Sequence, residues 1–162
     1  MPEAGALPAR QTKLRGWLLL VAIGVVIYPL RLLGFILDDL LPVFSRDVWS
    51  VLTAPGSNVY HPLNGPVLLF ELLGNLVLLI CSIILAVMFF QRREQFPFLG
   101  VSFLVGAFLF YLADYFAALQ LPSVASQEDS GSVLDLAGAL PVCAVLVPYF
   151  LTSKRVKATF VR

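Results

Sequence analysis

Four stretches of the chain are predominantly apolar, and the segments between them are short or polar. They run over residues 16–37, 65–90, 96–119 and 133–151. A hydrocarbon core roughly 30 Å thick takes about 20 helical residues at about 1.5 Å each, so every stretch predicts a transmembrane helix. Residues 76–90 show no period of two, which speaks against barrel strands, whereas a helix satisfies its own backbone hydrogen bonds in lipid. The first stretch follows Lys13 and Arg15 as a signal peptide would, but it is too long and lacks a small-residue cleavage site. The expected fold is therefore an all-α integral membrane protein. A single four-helix transmembrane domain covers residues 16–151, with outer loops at 38–64 and 120–132 and tails at 1–15 and 152–162.

Composition agrees with this class and charge adds a direction. Hydrophobic residues make up 59% of the 162 and charged residues 13%, with a mean hydropathy of +0.90, a balance that a water-soluble fold of this size cannot bury. Of the eleven Lys and Arg, Arg10, Lys13, Arg15, Arg92, Arg93, Lys154, Arg155, Lys157 and Arg162 fall on one side of the predicted spans. Residues 120–132 carry none, and Arg46 alone occupies the first loop. The positive-inside rule then places both termini in the cytoplasm. Trp17 and Tyr149 lie near span ends, where amphipathic rings anchor at headgroup level. Nothing in this pattern points to nucleic acid.

The loop 38–64 predicts one short helix along the outer membrane surface, with Ser45 as N-cap and Asp47 in the first turn. Val48, Trp49, Val51 and Leu52 would face lipid and Ser50 water. A plain loop covering the helix ends is the competing reading. Turn chemistry follows in Thr53-Ala54-Pro55-Gly56-Ser57-Asn58, returning the chain to the second span.

Three ionisable residues lie inside the spans, where charge is rare and costly: Arg31, Glu71 and Asp114. Helix rise places Arg31 about 22 Å and Asp114 about 25 Å from the cytoplasmic starts of their spans, and Glu71 about 9 Å from the outer start of its own. All three fall in the outer third, which predicts a buried or half-buried ion cluster. In the second span Glu71, Gly74, Asn75, Cys81, Ser82 and Ala86 share a face, a stripe suited to close helix packing. The third span offers Ser102, Gly106, Ala113 and Ala117 with Asp114 on the shoulder, and the first offers Gly24, Tyr28 and Arg31. The cluster of Arg31, Glu71, Asn75 and Asp114 reads in three ways: charge neutralisation that fixes helix register, a proton or ion relay or lipid-headgroup pocket, or an Arg31 that snorkels to the headgroups. Pro141 and Pro148 are expected to bend the fourth span, and Asp135 near its start complements the helix dipole.

Enzyme chemistry finds no support, and no cofactor or metal is expected. His61 is the single histidine, Cys81 and Cys143 form no C-x-x-C pair, and no phosphate-cradling glycine loop occurs. Candidate contacts outside the core are Trp49, Tyr60 and His61 in the outer loop, and Lys154, Arg155 and Lys157 for anionic lipid.

The ordered residues Gly16-Trp17-Leu18, Trp49 with Leu52-Thr53 and Pro55-Gly56-Ser57, Tyr60-His61-Pro62, Phe70-Glu71 with Gly74-Asn75, Pro148-Tyr149-Phe150, Ser153-Lys154-Arg155-Val156-Lys157 and Thr159-Phe160 resemble the bacterial domain-of-unknown-function family 2569. The resemblance implies a small four-helix protein of the bacterial inner membrane and implies no activity. Two functions remain as expectations. One is a noncatalytic accessory protein whose outer half binds lipid, another membrane protein or a second copy. The other is a small oligomeric ion- or proton-coupled transporter built on the intramembrane charges.

Overall fold

The computed structural model describes residues 17–121 and 130–153 together with Val156, Thr159 and Phe160, the side chains of Trp17, residues 130–133 and Asp135 excepted. Every regular element among the described residues is helical. Helix α1 covers Trp17–Phe35 and runs on through a π-helical turn, Ile36–Leu40, into a short α2, Leu41–Val43. Then come α3 over Arg46–Thr53, α4 over Asn64–Phe90, α5 over Phe96–Ala118 and α6 over Ser130–Thr152.

Three helical stretches are long and apolar enough to cross a membrane: Leu18–Val43 with 26 residues, Asn64–Phe90 with 27 and Phe96–Ala118 with 23. At about 1.5 Å per residue each exceeds a roughly 30 Å hydrocarbon core. Helix α6 has 23 residues, with its apolar stretch over Leu136–Thr152. Leu30, Leu73 and Phe98 are 64%, 62% and 73% exposed, so the large apolar side chains outside the bundle form a lipid-facing surface.

The first helix departs from expectation. It does not stop at residue 37 but continues to Val43, so the expected loop 38–64 begins as helix. No Gly or Asn in this stretch offers a C-cap, and Pro42 in α-helical register would collide with the carbonyl of Asp38. Widening the turn, with the Leu41 N–H donating to the carbonyl of Ile36, gives the ring room without ending the helix. Asp38 and Asp39 are exposed on this turn. The short helix after Ser45 forms as predicted, and Ser45 has the extended backbone of an N-cap, although its hydroxyl makes no capping bond.

A tight turn reverses the chain between α4 and α5. The Arg92 N–H bonds to the Phe89 carbonyl at 3.0 Å and the Arg93 N–H to the Met88 carbonyl at 3.1 Å, a Schellman ending with Arg92 at φ 55 where glycine is usual. The neighbours α1 and α4, and α4 and α5, thus run antiparallel, so α1 and α5 point the same way.

Two apolar clusters hold the bundle. At the end bearing the α4–α5 turn, Leu18 and Val21 of α1 pack with Leu85, Met88 and Phe89 of α4, Phe96 of α5 and Phe150 of α6. Val156 and Phe160, beyond α6, are buried in the same cluster, with the Phe160 ring stacked on Phe96 at 4.6 Å. At the opposite end, which carries α3, the second cluster joins Leu32, Ile36 and Leu40 with Leu78 and Ala107.

The stripe expected on the second span is present in α4: Asn75 and Ser82 are buried, Glu71, Gly74, Cys81 and Ala86 half-buried. Those expected in the first and third spans are corrected in part: Tyr28, Asp114 and Ala117 are half-buried, but Ser102, Gly106, Ala113 and Gly24 are exposed, and a Cβ added at Gly24 or Gly106 would meet nothing within 4 Å. The bundle face of α5 is instead set by its rings, since Phe110 enters over Gly74 and a Cβ at Gly74 would fall inside that ring. Gly74→Ala is therefore expected to destabilise the protein by roughly 1–3 kcal/mol through overpacking. In combination with Phe110→Leu the change should cost clearly less than the sum of the single changes. Thermal unfolding in detergent measures both, and strict additivity would count against the contact.

Candidate functional site

The segment after α2 folds into a built cap over the start of α4. Phe44 and Trp49 stack with centroids 5.1 Å apart, and the indole edge and the Thr53 methyl lie at van der Waals range of the space above Gly65. Thr53 ties its hydroxyl back to the Trp49 carbonyl at 2.7 Å. Trp49 and Leu52, expected to face lipid, are half-buried against the protein, while Val48 and Val51 stay exposed.

Asn64, the first residue of α4, fastens the return. Its side chain is buried, and Nδ2 donates to the Leu52 carbonyl at 2.9 Å and to the Val59 carbonyl at 3.0 Å. One amide thus joins the end of α3 to the strap that follows it. The turn between them needs Gly56, whose φ of 104 suits glycine. Sequence reasoning missed Asn64 as a functional residue. The available signal was a lone amide at the mouth of an apolar run, just after Pro62.

The loop candidates therefore separate. Trp49 seats the cap, Tyr60 is exposed on its surface, and His61 is a half-buried turn residue whose Nδ1 accepts from the Leu63 N–H at 3.3 Å. Val48, Val51, Val59, Tyr60 and Leu63 give the cap an apolar exterior.

Below the cap, contacts between helices fix the level of the intramembrane charges. Tyr28 of α1 and Tyr111 of α5 join hydroxyls at 2.8 Å, and Tyr28 meets Phe103 edge-on at 5.6 Å. Because α1 and α5 run the same way, Arg31 and Asp114 follow their tyrosines by the same step and share a level. The Gly74–Phe110 contact does the same for α4. Glu71 lies about 4.5 Å and Asp114 about 6 Å beyond it toward the cap.

Among the described residues no charged side chain is fully buried: Glu71 and Asp114 are half-buried and Arg31 is exposed. The buried polar member is Asn75, whose Nδ2 donates to the Glu71 carbonyl at 2.8 Å.

Helix α6 is tied to α5 by Cys143, whose Sγ donates to the Leu104 carbonyl at 3.2 Å, and both cysteines are free thiols. Lys154, Arg155 and Lys157, and the side chain of Asp135, lie outside the described residues. Val156, Thr159 and Phe160 are buried, a packing role that the basic ending concealed in the sequence.

The chain belongs to the family described as "Protein of unknown function (DUF2569)", which it matches over residues 11–161. No curated protein matches it, and no solved structure does.

Replacing Asn64 with Ala leaves the carbonyls of Leu52 and Val59 without their donor. The expected cost is about 1–3 kcal/mol, with faster hydrogen exchange confined to residues 46–63. Exchange unchanged in that segment would mean that the amide does not hold the cap.

Proposed function

We propose that this DUF2569 member is a noncatalytic accessory protein of the bacterial inner membrane, with four spans and both termini in the cytoplasm, whose outer half binds lipid or a membrane partner. The observation that carries the reading is the cap. Its backbone is fastened by Asn64 and Trp49, while Val48, Val51, Val59, Tyr60 and Leu63 point outward. A rigid element with satisfied polar groups and an apolar exterior suits the membrane interface.

Charge supports the orientation. Arg92 and Arg93 sit at the turn between α4 and α5, the end toward which the basic ending of the chain also leads. Those cations suit anionic headgroups of the cytoplasmic leaflet, where Lys154, Arg155 and Lys157 are proposed to act with them.

A second reading, a small oligomeric proton- or ion-coupled carrier, is favoured by Arg31, Glu71 and Asp114 sharing one level. It makes a separate demand: reconstituted vesicles must show proton flux in the intact protein, and Glu71→Gln must abolish it. Flux with that behaviour would displace the accessory reading.

For the accessory role, a photoreactive residue in place of Val51 should crosslink in cells to lipid or to a discrete membrane protein, and one in place of Leu52 should crosslink several-fold less. Equal, background-level yields at both positions would sink the proposal.

A further inference from the structure

The turn that joins α4 to α5 carries an open pocket. About 400 Å³ in volume, it is lined among the described residues by Gln91, Arg93, Glu94 and Gln95, and all four are exposed. The backbone beneath it is fixed. The Arg93 N–H is tied to the Met88 carbonyl, and the Arg93 carbonyl takes the Phe96 N–H at 3.0 Å. Phe89 and Phe96, on either side of the turn, are buried in the aromatic cluster and anchor both of its ends. The Arg93 side chain is held too, since its Nε donates to Oε1 of Gln91 at 2.8 Å. The donors on the terminal guanidinium nitrogens lie outside that bond, and so does the NH2 group of Gln91.

Arg92, next to the pocket in the chain, keeps a backbone conformation that side chains disfavour. Its φ of 55 lies in the left-handed region, at the position where a helix ending takes glycine. A Cβ costs stability there and glycine would relieve it. A long cation at this point is therefore better explained by what its side chain does than by the folding of the turn. Height decides what it meets. Helix α4 has 27 residues, about 40 Å at about 1.5 Å each, against a hydrocarbon core of roughly 30 Å. The turn at its end stands among headgroups. Arg92 and Arg93 against Glu94 leave that turn with one net positive charge.

We propose that the pocket at the α4–α5 turn binds the headgroup of a phosphatidylglycerol-type lipid, its phosphodiester on Arg93 and Arg92 and its glycerol hydroxyls on Gln91, Gln95 and Glu94. A guanidinium grips two phosphate oxygens at once through paired N–H donors. The primary amides donate to hydroxyl oxygens, and the carboxylate accepts from a hydroxyl hydrogen. The single negative charge of the phosphodiester matches the net charge of the turn. An ethanolamine or choline headgroup brings a further cation beside two guanidinium groups, and like charges oppose it. Headgroup height makes the bilayer the source of the phosphodiester. The site rests on the reading that this end of the bundle faces the cytoplasmic leaflet, and it replaces a general attraction to anionic lipid by one place and one class of headgroup.

Native mass spectrometry of the full-length protein tests this, with added phosphatidylglycerol, phosphatidylethanolamine and phosphatidylcholine of identical acyl chains. The intact protein should retain phosphatidylglycerol about tenfold better than either other, the strength of one charge-assisted contact. Arg93→Lys keeps the charge but removes the paired donors, and should lower that retention several-fold. Arg92→Gly should lower it as well while raising the melting temperature by about 2–4 °C, a pair of opposite signs that damaged folding cannot produce. Joint replacement of Lys154, Arg155 and Lys157 with Gln removes more charge, yet should keep the preference for phosphatidylglycerol. Equal retention of the three lipids by the intact protein overturns the site. So does a preference that neither Arg93→Lys nor Arg92→Gly changes, or one that the triple replacement abolishes, since both mark diffuse attraction to a basic surface. Displacement of the lipid by soluble glycerophosphoglycerol at equal concentration overturns the bilayer as the source. Any of these results alongside intact Val51 crosslinking overturns the headgroup site alone and leaves the accessory reading standing.

Discussion

Two neighbouring rings on α5 set the register of the bundle. Phe110 fills the space that Gly74 leaves open on α4, and Tyr111 meets the hydroxyl of Tyr28 on α1. In hydrocarbon the hydrophobic effect does not favour one helix pairing over another, because lipid tails are as apolar as leucine. Close approach at small residues and polar contacts between helices have to do that work. Sliding any of the three helices by one turn would put a ring against a methylene and separate the hydroxyls. The common level of Arg31, Glu71 and Asp114 is a consequence of this register and needs no direct attraction among them to be defined.

The two ends of the molecule are built on different principles. At the α4–α5 turn the packing is aromatic: Phe89, Phe96, Phe150 and Phe160 pack edge to face, tilted or stacked, with centroids between 4.6 and 5.7 Å. Such ring pairs add about 0.5–1.5 kcal/mol each beyond the area they bury. The segment after α6 supplies Phe160 and Val156 to this cluster, so the end of the chain acts as part of the core. At the other end the core among the described residues joins α1, α4 and α5 beneath the cap.

Legibility in the sequence followed the physics of each element. The three long spans were readable because length and apolarity are imposed by the bilayer itself, and the stripe on α4 because it carries polar residues that lipid excludes. The stripe on α5 misled, since a ring entering over Gly74 decides which face turns inward, and that partner lies on another helix. The extension of α1 to Val43 was hidden because a proline three residues past an acidic pair usually signals an ending, and only a widened turn lets the helix pass. Phe160 was masked by the basic residues around it. In the candidate layer the residues and their depth were legible, while the exposure of Arg31 depended on which flank of α1 turns into the core, and that is set by partners on other helices.

The long first helix explains why the cap and the charged layer belong together. A roughly 30 Å core takes about 20 residues, and the stretch Leu18–Val43 has 26. The residues beyond Asp38 thus rise past the hydrocarbon, and the chain can lay α3 down only at headgroup height. Trp49 then seats above Gly65 at the entrance of α4, which holds that entrance at the same height. Glu71, two turns further in, lies about 10 Å below it, the same depth that separates Arg31 from Asp38. One geometric constraint, the excess length of α1, therefore sets the height of the cap and, through α4, the depth of the layer beneath it.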